Sequence, residues 1–305
     1  MKEIFLVSTF LFLFLFLFLI LISSAAAIEN WTSDADRPTM EDNLQYHIQC
    51  RSGDINKYVL LPGDPGRVDL IAKEWDEAKF VAFNREYKTF SGKIGDVSLS
   101  ACSTGIGGPS TSIAIEELAE LGADTFIRVG TCGAIHEGIK CGDIIICSGA
   151  VRHDGASDEY IETAYPALAN HEIVLALIQA CEKLGKNYHV GISCSTSTFH
   201  TGQARPGFKG YTQSFFENKI KDLQNARVLN FEMEAATVLT LAGIYGFRAG
   251  AVFVVVADRN NNTFTYTGID DSVKIANEAV KILASWDKVK SEKNKEFFYP
   301  DLLKK

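Results

Sequence analysis

Apolar and polar positions divide the chain into short apolar runs and longer stretches in which apolar residues recur every three or four positions. The apolar runs predict β-strands at 58–61, 97–102, 125–129, 143–148 and 248–257. The recurring stretches predict α-helices at 112–121, 172–184, 232–245 and 271–288. Strands that alternate with helices form mostly parallel sheets covered on both faces. The pattern therefore predicts a single α/β domain with a central mixed, mainly parallel, twisted sheet flanked by helices.

The first 27 residues differ from the rest because a basic start is followed by one run rich in Phe and Leu and then by small residues. This composition fits a signal peptide or a membrane anchor, which would make the protein secreted or membrane-anchored and Asn30 a glycosylation acceptor. It also fits sequence upstream of a start at Met40, which would make the protein cytoplasmic. Beyond this leader, 1–27, we expect a linker, a domain and a C-terminal tail at 28–43, 44–290 and 291–305.

The 305 residues carry a formal net charge of -8. A chain without surplus positive charge does not neutralise a nucleic-acid backbone over a broad surface, so we expect no nucleic-acid partner. The seven cysteines include no Cys-x-x-Cys pair, which favours buried free thiols over a disulfide framework or a metal site. Recognition of phosphate, where it occurs, is therefore expected from a local group of arginines.

Glycine-rich and charged segments follow several of the predicted strands. Ligands of open α/β sheets bind beside the carboxyl ends of the strands, so these segments predict one composite pocket. Gly63 and Arg67 follow the first strand, and Arg128 and Thr131 lie at the end of the third. A guanidinium group suits bidentate binding of phosphate, and burying it in a strand is costly without a partner. These four residues predict an anion site, and a structural ion pair is the alternative for Arg128.

Two further polar groups are expected at the same edge of the sheet. The first has two acceptors that suit a sugar diol and a thioether that suits the apolar face of the sugar. Acidic residues are also common at helix N-termini, which is the alternative explanation for this group. The second combines a stacking surface with donors and an acceptor that match a uracil-like base. The first group is Glu232, Met233 and Glu234, and the second is Phe199, Gln203 and Arg205.

Seven segments resemble, in order along the chain, the nucleoside phosphorylase family of α/β proteins. They are LPGDPGRV, FNREYKTF, STGIGGPSTSIAIEELAELGA, RVGTCGAI, VRHDGAS, FHTGQAR and NFEMEAATVLTL. The resemblance runs from about Tyr46 to Val289, and the GQAR sequence is typical of the branch that cleaves uridine. It implies a phosphate-dependent pentosyltransferase that converts uridine, and related nucleosides such as deoxyuridine, to uracil and ribose 1-phosphate. It implies no cofactor, because inorganic phosphate is the co-substrate.

The resemblance also implies a role for each matched position. The phosphate site comprises Gly63, Arg67, Arg85, Arg128 and Thr131. The ribose site comprises His47, Glu232, Met233 and Glu234, and the base site comprises Phe199, Gln203, Arg205 and Arg259. Arg85 and His47 match residues that reach a neighbouring subunit's site, which implies a homodimer at minimum and typically a hexamer built as a trimer of dimers. Glu86, Ile106 and Ser110 match positions that hold a monovalent cation such as K+ between subunits.

Three other functions are compatible with parts of the sequence. Asp258 stands near the position at which purine-cleaving relatives carry an acid that protonates the base, so a purine nucleoside phosphorylase is the main alternative. A hydrolytic nucleosidase would not need the phosphate-site arginines. A nucleoside-binding or storage protein without turnover would suit an exported chain.

Overall fold

The computed structural model describes residues 31–304, which divide into two compact units. Residues 31–43 belong to the first unit, in which the Trp31 indole donates to the Thr39 carbonyl (2.7 Å). Residues 44–304 belong to the second. The predicted leader, whether signal, anchor or upstream sequence, lies outside the described residues. Among residues 31–304, no helix combines the length and apolar character that a membrane crossing requires.

The second unit contains eleven strands and six α-helices among the described residues. The strands are β1 (Tyr58–Pro62), β2 (Glu77–Asn84), β3 (Tyr87–Ile94), β4 (Val97–Cys102), β5 (Thr125–Ala134), β6 (Ile144–His153), β7 (Ala167–Leu168), β8 (Tyr188–Thr196), β9 (Val228–Glu232), β10 (Arg248–Asp258) and β11 (Thr263–Phe264). The helices are α1 (Pro65–Lys73), α2 (Gly108–Glu120), α3 (His171–Leu184), α4 (Ser214–Asn225), α5 (Ala235–Tyr245) and α6 (Ile269–Glu292).

The strands form one mixed sheet, as predicted, and part of it closes on itself. β5 pairs with β10, β10 with β6, β6 with β8, β8 with β9, and β9 again with β5. A wing of four strands, β1, β4, β3 and β2, extends from the other edge of β5. The two longest ladders, β5–β10 and β6–β8, are parallel. The closed ring brings the carboxyl ends of β5, β8, β9 and β10 to one place.

Helices cover both faces of the sheet, also as predicted. Alternate residues of β5 show the arrangement, because Phe126 belongs to the apolar cluster under α2 and α5, whereas Ile127 and Val129 belong to the cluster under α1, α3 and α6. Central strands buried on both faces need apolar residues on both sides. This explains why the sequence shows continuous apolar runs at these strands.

The structure corrects the predicted bounds at two functional segments. The helix predicted from Glu232 begins at Ala235, and Glu232 is the last residue of β9. The strand predicted at 125–129 continues to Ala134, so Thr131 lies inside β5 and not after it. Both differences arise from pairing: β10 runs beside β5 over its whole length, and β8 and β5 both pair with β9. The strands β2, β3, β7, β8, β9 and β11 and the helices α1 and α4 were not predicted.

The cysteines of the second unit are all free thiols, as expected, and all except Cys141 are buried. Burial raises the pKa of Cys102 to about 12 and that of Cys147 to about 11. These thiols therefore remain protonated and unreactive at neutral pH.

A buried group of charges joins α6 to the sheet at the end opposite the carboxyl ends of β1, β5 and β10. Arg248 donates to Glu172 (2.9 Å) and to both oxygens of Asp287 (2.8 and 2.7 Å), and Lys290 binds Glu172 (2.7 Å). Tyr58 donates its hydroxyl to Asp287 (2.5 Å). Burial by itself would raise the pKa of Asp287, but the bonds from Arg248 and Tyr58 lower it to about 2. The charged carboxylate therefore stabilises the folded state.

Residues of the predicted C-terminal tail pack beside this group. The Phe298 ring stacks on Trp286 with ring centroids 3.9 Å apart, and its backbone N–H donates to Glu172 (2.8 Å). Leu302 is also buried in the apolar cluster under α6. The chain after α6 thus contributes to the core of the second unit.

We expect Asp287→Asn to lower the free energy of unfolding at pH 7 by about 2 kcal/mol, because a pKa shift from 3.8 to about 2 corresponds to about 1.4 kcal/mol per unit. A carboxylate with a lowered folded-state pKa stabilises the protein above its unfolded-state pKa and loses this effect as the pH falls. The difference between wild type and variant should therefore shrink between about pH 4 and pH 2.

Urea denaturation at pH 7 and at several acidic pH values measures this difference. Asp301→Asn is the matched control, because Asp301 forms an exposed pair with Lys304 and should change the free energy of unfolding by less than about 0.5 kcal/mol. A pH-independent loss in Asp287→Asn would contradict the electrostatic origin.

Candidate active site

A cavity of about 730 Å³ opens at the carboxyl ends of β1, β5, β9 and β10. The loops after β4 and β8 complete its walls. The sequence predicted a composite pocket at this edge, and the structure brings most of the predicted residues into it. Those that line the cavity are Gly63, Arg67, Glu86, Ile106, Arg128, Thr131, Phe199, Gln203, Arg205, Glu232, Met233 and Glu234.

The turn between β1 and α1 places the first arginine. Asp64 accepts a hydrogen bond from the Gly66 N–H (2.9 Å) and caps α1, whose first helical residue is Pro65. Arg67 follows in the first turn and donates from Nη1 to the Val129 carbonyl of β5 (3.0 Å). The helix therefore directs a buried guanidinium group to the wall of the cavity.

Gly63 allows two loops to approach each other at this turn. A Cβ atom on Gly63 would lie 3.0 Å from the Gly105 carbonyl oxygen and 3.9 Å from Arg128 Nη1. A side chain at position 63 would therefore press against the backbone of the loop after β4 and would stand beside the second arginine. Glycine keeps this corner of the cavity open.

Two of the arginines that line the cavity, Arg67 and Arg128, each have a hydrogen-bond donor that is not used. Arg67 is 6% exposed and Arg128 is 5% exposed. Arg67 Nε and Arg128 Nη1 are buried and have no hydrogen-bond partner among residues 31–304. Leaving a buried charged donor without an acceptor is costly, because the group has lost its water. Burial and the positive charge of Arg128 also lower the pKa of Arg67. An anion between the two groups would satisfy both.

Arg128 also forms the ion pair that was the alternative prediction for it. Its Nε donates to Glu232 Oε2 (2.9 Å), and its Nη2 binds Glu234. Burial by itself would lower the pKa of Arg128, but the two carboxylates raise it above the ordinary value. Arg128 is therefore held in place by two carboxylates and still presents Nη1.

Glu232 holds the start of α5. Its Oε2 accepts from the N–H groups of Glu234 and Ala235 (2.9 Å each), and its Oε1 accepts from the Ser195 hydroxyl. A carboxylate at a helix N-terminus satisfies otherwise unpaired N–H groups. Glu232 therefore fits both explanations given for the acidic residues: it caps the start of a helix, and it also lines the cavity.

Glu234 connects the glycine-rich loop to Arg128. One oxygen accepts from the Gly107 N–H (2.6 Å), and the other binds the Arg128 guanidinium. Gly107 has a φ of 94°, which strongly favours glycine. Burial raises the pKa of Glu234, and the charge of Arg128 opposes that shift.

The loop after β8 forms another part of the cavity wall. Gln203 is 3% exposed, donates from Nε2 to the Thr196 hydroxyl (3.2 Å), and accepts from Arg205 at Oε1. Arg205 also donates to the Phe199 carbonyl (2.8 Å) and lies over the Phe199 ring, 4.0 Å from its centroid. Burial and the charge of Arg259 lower the pKa of Arg205 to about 10, so it stays charged at neutral pH.

Arg259 and Asp258 are not among the residues that line the cavity, and both form hydrogen bonds next to it. Arg259 donates to the Gln203 carbonyl (2.9 Å) and so supports the loop after β8. The Asp258 carboxylate accepts from the N–H groups of Asn260 and Asn261 and from the Asn261 amide (3.0, 3.2 and 2.7 Å). The Asp258 carboxylate is thus hydrogen-bonded within its own turn and is not among the residues that line the cavity.

Arg85 and His47 also lie away from this cavity. Arg85 forms the two-residue turn between β2 and β3 with a φ of 53°, and it donates to the Tyr46 hydroxyl (3.2 Å). His47 Nδ1 lies 2.6 Å from Glu117 Oε1. Neither Arg85 nor His47 lines the cavity of its own protomer.

The three predicted cation ligands lie together beside the cavity. The Ser110 hydroxyl donates weakly to the Ile106 and Gly107 carbonyls (3.3 and 3.2 Å). A Cβ atom on Gly105 would lie 2.7 Å from Glu86 Cγ and 3.2 Å from Ser110 Oγ. Glu86 and Ile106 line the cavity, and Ser110 is the third residue of α2.

Several residues of the site were not singled out from the sequence. Ser195 binds Glu232 and also accepts from the Ala236 N–H (2.8 Å), but a serine at the end of an unpredicted strand carries no signal of its own. Phe231 and Cys132 line the cavity from within segments that were quoted as motifs. Phe264 lines it from the short strand β11.

Comparison with known proteins agrees with this geometry. The sequence profile of the Phosphorylase superfamily matches residues 57–285. A uridine phosphorylase from Thermococcus kodakarensis is 54% identical over 275 residues, which cover 90% of this chain and 99% of that protein. The uridine phosphorylase of Escherichia coli is 39% identical over 247 residues, which cover 78% and 97% of the two chains.

A guanosine phosphorylase from Halorubrum lacusprofundi is 39% identical over 211 residues, which cover 69% of this chain and 82% of that protein. Similarity therefore extends to proteins named for a pyrimidine nucleoside and for a purine nucleoside. The resemblance seen in the sequence motifs is confirmed, and this chain belongs to the phosphorylase superfamily.

Proposed function

We propose that the protein cleaves uridine by phosphorolysis to uracil and ribose 1-phosphate, as an enzyme of nucleoside salvage or catabolism. The observation that carries this proposal is the pair of buried, unpaired donors on Arg67 and Arg128 in the same cavity as the Gln203–Arg205 pair. One corner of the cavity suits a small anion, and the opposite wall suits a polar base edge. The names of the uridine phosphorylase relatives support the same substrate.

The reaction requires an oxygen of phosphate to bond to C1′ while the C1′–N1 bond breaks. The bonding electron pair leaves with uracil, which then takes a proton from water. The sugar gains positive charge on the way, as in other glycosyl transfers. Arg67 and Arg128 would hold phosphate close beneath C1′, and Glu232, Met233 and Glu234 would hold the ribose. No nucleophilic side chain of the protein takes part.

The base wall would stabilise the charge that develops on departing uracil. Arg205 uses Nη1 for Phe199 and Gln203, which leaves Nε and Nη2 without a hydrogen bond to residues 31–304. Preorganised donors directed at a developing negative charge accelerate such reactions because they need no reorganisation. Phe199 would lie against the flat face of the base.

Phosphate binding calls for more positive charge than one chain supplies. Around the anion corner, Arg67 and Arg128 are balanced by Glu232 and Glu234. A phosphate dianion would therefore enter a site without net positive charge. We propose that Arg85 of a second copy provides the missing charge and that His47 of that copy contacts the ribose. The assembly is then a homodimer at minimum, with a hexamer as the larger form and K+ held at Glu86, Ile106 and Ser110.

Purine cleavage is the second candidate, because a guanosine phosphorylase is among the relatives. The position of Asp258 disfavours it, since three donors already bind its carboxylate. A hydrolytic nucleosidase uses no phosphate and would not need the unused donors of Arg67 and Arg128. The same assay separates these functions from each other and from nucleoside binding without turnover.

We expect the purified protein to convert uridine only when phosphate is present, to yield ribose 1-phosphate, and to cleave inosine more slowly. Uracil release and ribose 1-phosphate are measured with and without phosphate. Equal uridine cleavage in phosphate-free buffer would indicate a nucleosidase. Faster inosine cleavage would indicate a purine phosphorylase, and binding of uridine by titration calorimetry without any product would indicate a storage protein.

We expect Arg205→Ala to lower kcat/KM for uridine by roughly 100-fold, because it removes donors from the leaving base, and to change the KM for phosphate little. Arg67→Ala is the matched comparison, since it removes a buried arginine from the opposite wall and should mainly raise the KM for phosphate. Steady-state kinetics with each substrate varied separately distinguish the two. Equal losses for both substrates in both variants would contradict the division of the cavity.

We expect Arg85→Ala and Arg128→Ala subunits to complement each other. A hybrid of the two has one site with both arginines intact and one site with neither. Random pairing should therefore restore about a quarter of the wild-type activity, since half of the dimers are hybrids. Each variant expressed without the other is the control. An inactive mixture that contains hybrids by mass spectrometry would show that the sites are not shared.

A further inference from the structure

The loop after β8 is held by three cations, each of which binds its backbone carbonyl groups. Arg205 donates to the Phe199 carbonyl (2.8 Å), and Arg259 donates to the Gln203 carbonyl (2.9 Å). Lys219 of α4 donates from Nζ to the Gly202 carbonyl (2.5 Å). Arg205 lines the cavity and Arg259 binds the loop from the turn after β10, whereas Lys219 approaches from helix α4.

The carbonyl that Lys219 binds is the one immediately before Gln203. The Gly202 N–H donates to the Thr198 hydroxyl (2.7 Å), and a Cβ atom on Gly202 would lie 2.7 Å from that oxygen. The peptide groups on both sides of Gly202 are therefore fixed, one from within the loop and one from α4. Ala204, the next residue but one, has a left-handed φ of 52°. An unsupported loop would not easily keep such a conformation.

Helix α4 holds the neighbouring turn as well. Gln224 donates from Nε2 to the Ile135 carbonyl (2.6 Å) and to Asn260 Oδ1 (2.8 Å), next to Arg259. Ile220 and Leu223 pack against the cluster that contains Phe231, which lines the cavity. One outer helix thus contacts the loop that carries Gln203, the turn that carries Arg259, and the wall between them.

We propose that Lys219 is a positioning residue for the nucleoside base. Its ammonium group fixes the Gly202 carbonyl and thereby the position of the Gln203 side-chain amide. The Gln203 amide oxygen accepts a hydrogen bond from Arg205, so the guanidinium group of Arg205 is fixed as well. The inference rests on the proposed function, because it takes this wall as the base site. Lys219 touches no substrate, so its effect falls on binding of the base and not on phosphate.

The test compares Lys219→Met, which keeps the length of the side chain and removes the charge, with Lys219→Arg, which restores a cation. Lys221→Met is the matched control, because Lys221 is an exposed lysine of the same helix. We expect Lys219→Met to raise the KM for uridine and the Kd for uracil roughly tenfold, through loss of a hydrogen bond from a charged donor. The KM for phosphate should change less than about twofold, since the arginine corner is untouched.

Lys219→Arg should recover most of the affinity for the base, and Lys221→Met should match the wild type. Thermal unfolding is measured for every variant, and Lys219→Gln replaces Lys219→Met should that variant fail to fold. An unchanged KM for uridine, or an equal rise in the KM for uridine and for phosphate, would overturn the role of Lys219.

Binding of uracil by titration calorimetry separates this proposal from the proposed function, because it needs no turnover. Wild-type protein that binds uracil but does not cleave uridine would overturn the function and leave the role of Lys219 to be decided by the variants' Kd for uracil. Wild-type protein that neither binds uracil nor cleaves uridine would overturn both.

Discussion

Arg128 lies inside the longest ladder of the sheet and shares its guanidinium group between the carboxylates of Glu232 and Glu234. The same two carboxylates hold the start of α5 and the glycine-rich loop before α2. Removing one partner from a buried ion pair is strongly destabilising, because it leaves an uncompensated charge. The group therefore links three segments of the cavity and fixes the direction in which Arg128 presents its unpaired Nη1.

The closed ring of strands explains how segments far apart in the chain reach this group. β5, β8, β9 and β10 end at the same place because their pairings close on each other. Each strand end then contributes different chemistry to the cavity: Thr131 from β5, Glu232 from β9, and the loop with Gln203 and Arg205 after β8. Polar groups from several strand ends can converge only when the register of every ladder is set.

The two ends of the cavity use positive charge in different ways. At the arginine corner, Arg128 is paired with Glu232 and Glu234 and Arg67 binds the Val129 carbonyl, and each keeps one buried donor without a partner among residues 31–304. In the loop after β8, the cations of Arg205, Arg259 and Lys219 instead all bind backbone carbonyl groups.

The sequence by itself determined the α/β class, the doubly buried strands and most residues of the cavity. Strands covered on both faces must be apolar along their length, and glycine-rich turns and charged residues at strand ends stand out against that background. Tertiary structure alone decided that Thr131 and Glu232 lie within strands, because their pairing partners are distant in the chain. It also decided that Asp258 binds its own turn and that Lys219, on an unpredicted helix, binds the loop after β8. Hydrogen bonds of this kind depend on where folded segments meet, which local residue patterns do not encode.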